Sequence, residues 1–108
     1  MAKVKITSWV DETEFWSAIM GSGWESWGWW KDISYRGSAD WDKPGVVTLT
    51  AYDPDTGEDE YTADLTIAEL VQAYEEVNTT TRIHWEDLDA VSGDAILQVA
   101  VLGDIVYG

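Results

Sequence analysis

Apolar and polar residues alternate most clearly over residues 46–65. Val47, Leu49 and Ala51 alternate with Thr48, Thr50 and Tyr52, and the pattern resumes after residue 57 with Tyr61, Ala63 and Leu65 against Glu60, Thr62 and Asp64. A period of two belongs to strands with one face buried. Between the runs lies Asp53-Pro54-Asp55-Thr56-Gly57. Pro54 suits the second position of a type I turn and Gly57 the left-handed position after it, so the two runs form a β-hairpin. Upstream, Val4, Ile6, Ser8 and Val10 alternate with Lys3, Lys5, Thr7 and Trp9, which predicts a strand over residues 3–10. Ile33 and Tyr35 predict a further short strand near 32–36.

Three segments have helical character. Asp11-Glu12-Thr13-Glu14 and Thr66-Ile67-Ala68-Glu69 both have the form of a capping box, in which the first side chain accepts from a free amide of the first turn. The first box opens a helix over 12–20 with Phe15, Trp16, Ile19 and Met20 inside, Val10 and Phe15 as a hydrophobic staple, and Gly21 as its stop. The second opens a helix over 67–77 in which Ile67, Leu70, Val71, Tyr74 and Val77 share a side and Glu69, Gln72, Glu75 and Glu76 face water. Residues 91–106 are apolar all round, interrupted on their surface only by Gln98 and Asp104, which predicts a third helix buried on more than one side. Residues 37–45 read as a loop, and 78–85 as a loop or short edge strand. The expected fold is one α+β domain over 1–108: an antiparallel sheet of three or four strands, the 46–65 hairpin at its centre, covered on one side by helices at 12–20, 67–77 and 91–106.

Tryptophan changes this picture. Five of the eight tryptophans lie between Trp24 and Trp41. Trp24, Trp27 and Trp30 are spaced for a helical turn, whereas Trp27 and Trp29 fit strand alternation, and Gly28 weakens both readings. An indole is either core material or an exposed platform. Trp16 and at least one of Trp27 and Trp30 are assigned to the core. Four indoles within residues 24–30 are more than so small a domain buries with ease, so one or two should be exposed. Trp24, Trp27, Trp29 and Trp30 are therefore the candidate partner-binding anchors, exposed Trp being a frequent interface hot spot.

Charge adds a second asymmetry to a chain of formal net charge −15. Residues 1–43 carry five basic and seven acidic side chains, and residues 44–108 carry Arg82 against fourteen acids. Phosphate backbones and anionic membranes are recognised mainly by Lys and Arg, so direct nucleic-acid and membrane binding are disfavoured. A cationic partner would be attracted and steered. Asp53, Asp55, Glu58, Asp59 and Glu60 on the hairpin and Glu75, Glu76, Glu86, Asp87 and Asp89 beyond it are the candidate acidic contact residues.

Catalytic signatures are weak. The chain has no cysteine, which removes thiolate chemistry and disulfides. Asp53-Pro54-Asp55-Thr56-Gly57-Glu58 has oxygen ligands at alternate positions, as a calcium loop does. However, Gly57, Glu58 and Asp64 occupy positions where an EF-hand needs other residues, and the turn explains Pro54 and Gly57 directly. His84 with Glu86 and Asp87 could form a base and its orienter, yet no nucleophile is implied by spacing, and a lone imidazole beside Trp85 is more often packing or surface. No metal site, cofactor or enzymatic activity is expected. The N-terminus lacks the apolar core of a signal peptide and no stretch reaches the length of a membrane span, so a cytoplasmic protein is expected.

The blocks Asp40-Trp41-Asp42-Lys43-Pro44-Gly45, Ser92-Gly93-Asp94-Ala95-Ile96-Leu97-Gln98 continuing to Gly103–Gly108, Phe15–Ile19 and Gly21–Trp24 are spread over most of the chain's length. In these blocks the chain resembles small acidic proteins of unassigned function from phages of actinobacteria. The resemblance implies a phage or prophage source and action inside a bacterial host cell. The functional expectation is a non-enzymatic acidic module that binds and occludes a host or defence protein with a basic surface, one that could itself serve nucleic acid. The alternative is a homo-oligomeric structural or assembly protein, and behind it a Trp-lined carbohydrate binder or small enzyme.

Overall fold

The computed structural model describes residues 3–5, 9–26, 28–52, 60–81 and 84–103. In chain order the elements are β1 (Lys3–Lys5), β2 (Trp9–Asp11), α1 (Glu12–Met20), β3 (Trp30–Arg36), β4 (Val46–Tyr52), β5 (Glu60–Leu65), α2 (Ile67–Thr81) and α3 (Ala90–Leu102). Short 3-10 turns at Trp24–Ser26 and Trp85–Asp87 link them. This is the expected α+β fold. The main sheet is antiparallel in the order β3-β4-β5, so the hairpin supplies its central strand.

Alternation decides which sheet face is inside. Val47, Leu49 and Ala51 of β4 are buried. Ile33 and Ala63 flank Leu49, and Tyr35 and Leu65 flank Val47. Burying a side chain such as Leu49 completely contributes about 1.5–3 kcal/mol. The opposite face is held by polar pairs across all three strands. Arg36 donates to Thr48 Oγ1 and to Asp64 Oδ1, both at 3.1 Å, and the Thr48 hydroxyl donates to the same Asp64 oxygen at 2.7 Å. The Thr50 and Thr62 hydroxyls meet at 3.2 Å, and Lys31 pairs with Glu60.

A bulge at Lys31 places the tryptophans. Trp30 lies opposite Ala51 but Asp32 lies opposite Thr50, so Lys31 is an extra residue on β3. Without it Trp30 and Ile33, an odd number of positions apart, would face opposite sides. With it Trp30, Ile33 and Tyr35 all pack toward the core.

The helices follow their caps. Asp11 accepts from Glu14 N at 3.1 Å, and α1 has the expected bounds with Phe15, Trp16, Ile19 and Met20 buried. Thr66 N–H and its hydroxyl both donate to the Glu69 carboxylate, and the hydroxyl is the main reason that the Glu69 carboxyl lies below its ordinary range. The second helix runs to Thr81, beyond the expected end at 77, so residues 78–81 are helix and not loop or edge strand. Thr79 Oγ1 donates back to Glu76 O at 2.7 Å, which gives the hydroxyl of this β-branched residue a partner within the helix. The third helix is shorter than 91–106, because Gly103 takes a left-handed φ of 84° and its N–H closes on Val99 O at 3.0 Å. Residues 104–106 lie outside the described residues.

Two further expectations are corrected. The strand over 3–10 is instead an antiparallel pair, with Lys3, Val4 and Lys5 opposite Asp11, Val10 and Trp9. Partners in that register are an even number of positions apart, so folding back leaves the alternation of a single strand unchanged. Gln98, expected on the surface, is fully buried, as are most of Ser92, Gly93 and Asp94, whereas Val91 is 64 % exposed. Gln98 Nε2 donates to Asp94 Oδ2 at 2.8 Å, and Trp29 Nε1 donates to Asp94 Oδ1. A buried polar cluster is tolerated because its members satisfy one another.

Candidate functional site

The buried indoles are structural, and that of Trp16 holds a surface loop in place with its N–H group. Trp16 and Trp24 have no exposed surface and Trp29 has 3 %. The Trp24 ring packs on Trp29 and Trp30 with centroids 6.1 and 5.3 Å apart. Trp24 and Trp29 are therefore not surface anchors, and Trp30 is half-buried against the core. Trp27 lies outside the described residues. The Trp24 indole N–H has no partner among the described residues.

Among the described residues the exposed tryptophan is Trp41, at 51 %. It stands in the loop after β3, where Asp40 and Lys43 exchange two backbone hydrogen bonds of 3.0 Å. The Trp41 amide donates to Asp40 Oδ1 at 2.8 Å, and the Asp40 carbonyl accepts from Trp16 Nε1, also at 2.8 Å. One side of its ring rests on Gly21, where an added Cβ would sit 3.0 Å from Cε3 and Cζ3 and 2.9 Å from Ser17 O. Gly21 has φ −96°, so the ring and the helix end require glycine here and left-handed backbone does not.

Trp41 separates two clefts. The first, about 460 Å3, is lined by Met20, Gly21, Gly23, Glu25, Ile33, Tyr35 and Trp41, and is mostly apolar. The second, about 440 Å3, is lined by Glu14, Ser17, Ala18, Trp41, Trp85 and Glu86. Each pairs aromatic surface with carboxylate. In the first, Glu25 is placed by Trp30 Nε1, which donates to its carbonyl at 3.3 Å. The Tyr35 phenol is pushed up to about 12 by partial burial, and then by the charges of Glu25 and Asp40.

The candidate acids separate into distinct environments. Asp53, Asp55, Glu58 and Asp59 lie outside the described residues, and with them the calcium-loop alternative. Glu60 is exposed but paired with Lys31 on the outer sheet face. Glu75 and Glu76 are exposed on α2, and Glu76 also lines a groove with Glu69, Val99 and Gly103. Glu86 lines the second cleft and Asp87 is exposed beside it. Asp89 caps α3, accepting from Ser92 N at 2.9 Å and Ser92 Oγ at 3.0 Å, which holds its carboxyl below its ordinary range.

His84 caps the second 3-10 turn. Its Nδ1 accepts from Glu86 N at 3.2 Å, which requires the tautomer protonated at Nε2, and its ring stacks on Trp85 at 6.1 Å. The Glu86 carboxylate is 4.0 Å from Nδ1. Among the described residues no three His, Asp or Glu side chains converge on a metal-sized site, and no helix is long and apolar enough to cross a membrane.

Trp41 and Tyr35 were absent from the sequence-based candidates. A hint was present: Trp41 sits between two aspartates in a Pro- and Gly-containing loop, a common setting for contact residues. Comparison of the chain with protein-family models, with curated proteins and with solved structures finds no match.

Proposed function

We propose that this protein is a non-enzymatic interaction module whose contact surface is centred on Trp41. The observation that carries the reading is an exposed indole on a loop tied down by a buried one, flanked by clefts with carboxylates at Glu25, Glu14 and Glu86. A contact residue held before binding loses little conformational entropy when a partner arrives. The net charge of −15 and the surrounding carboxylates favour a partner with a basic surface. The resemblance to phage proteins makes a bacterial host or defence protein the proposed target, with occlusion of its basic surface as the effect.

Capture of partners from bacterial cells with the tagged protein tests this when wild type and Trp41→Ala are compared over a salt series. The expected result is a basic protein retained by wild type, lost with Trp41→Ala and released progressively as salt rises. Retention indifferent to both would refute it.

Self-association is a second reading, favoured by Val91. This residue is 64 % exposed and aligns at helical spacing with the half-buried Ala95, Val99 and Leu102. Sedimentation equilibrium separates the two readings: a dimer broken by Val91→Glu supports assembly, and a monomer at high concentration removes it.

A further inference from the structure

We infer that the cleft between Trp41 and Tyr35 is a receptor for an arginine side chain of the partner. This rests on the reading of Trp41 as a contact residue and adds the chemistry that it recognises. The lining divides into two parts. Met20, Ile33 and the ring surfaces of Tyr35 and Trp41 offer apolar and aromatic walls, and Glu25 is the single charged residue in the lining. Asp40, next to Trp41, adds a second negative charge close enough to act on the Tyr35 phenol, as Glu25 does. The volume of about 460 Å3 is ample for one long side chain.

A cation is favoured over a neutral ligand because the field in this cleft is negative and an indole face attracts positive charge. Arginine is favoured over lysine for three reasons. Its guanidinium is more weakly hydrated and so enters an apolar cleft more readily, it stacks flat on an aromatic ring, and its planar fork matches the two oxygens of one carboxylate. The methylene stem would run along Met20 and Ile33, with the guanidinium on the indole of Trp41 and against Glu25. The display is rigid on both sides, since Trp16 holds the Asp40 carbonyl and Trp30 holds that of Glu25.

The test uses the full isotope-labelled chain titrated with N-acetyl-arginine amide, N-acetyl-lysine amide, N-acetyl-citrulline amide and glucose, read by nuclear magnetic resonance. The Trp41 indole N–H and the Glu25 and Tyr35 amides should shift saturably with the arginine probe. Citrulline, which keeps the shape and loses the charge, should bind about tenfold more weakly. Glu25→Gln should weaken arginine binding roughly threefold, as expected for a solvent-accessible pair, with the amide spectrum otherwise unchanged. The lysine probe should bind more weakly than arginine. Equal binding of lysine, citrulline or glucose, or no shift at these positions with arginine, would overturn the inference. The probes report on the cleft alone, so such a failure beside intact Trp41-dependent capture would dismiss arginine recognition and leave the interaction surface standing.

Discussion

The indole N–H of Trp16 donates to the backbone carbonyl of Asp40 over 2.8 Å, across twenty-four positions of sequence. The same carbonyl accepts from Lys43 N at 3.0 Å, so both its lone-pair directions are used. A residue without exposed surface thereby fixes the loop that carries the exposed Trp41. Trp16→Phe keeps most of the ring and removes the donor. The lost hydrogen bond should cost about 0.5–1.5 kcal/mol, with a further loss from the smaller ring. Faster exchange of the Lys43 amide at unchanged helix content checks that the effect begins in the loop.

Gly21 and Gly28 should respond in opposite ways to alanine. At Gly21 the new methyl meets Ser17 O and the Trp41 ring, whereas at Gly28, apart from its chain neighbours, nothing among the described residues lies within 4 Å. Gly21→Ala should destabilise by about 1–3 kcal/mol and turn the Trp41 ring away from the α1 end. Gly28→Ala should be neutral or stabilise by up to about 1 kcal/mol through the unfolded chain. Urea denaturation compares the stabilities, and the Trp41 indole resonance reports the displacement.

The approach of α3 to the chain after α1 depends on Gly93. An added Cβ would lie 2.0 Å from Ser22 Oγ and 2.8 Å from Ser22 Cβ. Gly93→Ala should be among the more damaging small substitutions, and Ser22→Gly in the same chain should recover part of the loss. A double-mutant cycle should give a coupling of about 1–3 kcal/mol, and additive effects would contradict the contact.

Asp94 accepts from both Trp29 and Gln98 inside the protein. Asp94→Ala removes the acceptor of the buried Trp29 indole N–H, at about 1–3 kcal/mol, and breaks the contact to Gln98 Nε2 as well. Asp94→Asn retains an oxygen for one donor and should lie between wild type and alanine. Chemical denaturation of the three chains orders them.

Tyr35 links stability to high pH. Its phenol is raised from 10.0 to about 12 in the folded protein, so the folded state holds this proton more tightly than the unfolded chain. The resulting stabilisation is complete below pH 10 and is lost as pH rises from 10 toward 12. Absorbance titration at the phenolate band should show Tyr35 ionising late, beside Tyr74, whose phenol is also raised by burial, and Tyr35→Phe should remove the Tyr35 step. Glu25→Gln should lower its midpoint by removing one of the charges that raise it.

How much was legible in the residues depends on the range of the interactions. The Asp11 cap, the Thr66–Glu69 contact, the start and end of α1, the β4–β5 register and the three-helix α+β class follow from residues within a few positions of each other. Asp11 reaches Glu14, Thr66 reaches Glu69, and alternation along β4 records burial directly. The distribution of the tryptophans did not follow. Trp24 and Trp41 have the same side chain, and whether each meets core or water depends on the bulge at Lys31, on the loop tied to Trp16 and on α3 packing against the 3-10 turn at Trp24–Ser26. Gln98 is inside because Asp94 is one helical turn away and Trp29 closes the cluster from a distant segment. Local chemistry therefore determined the elements and their ends. Only the tertiary fold decided that Trp16, Trp24 and Trp29 became core and Trp41 surface, because burial is a property of neighbours brought together from far along the chain.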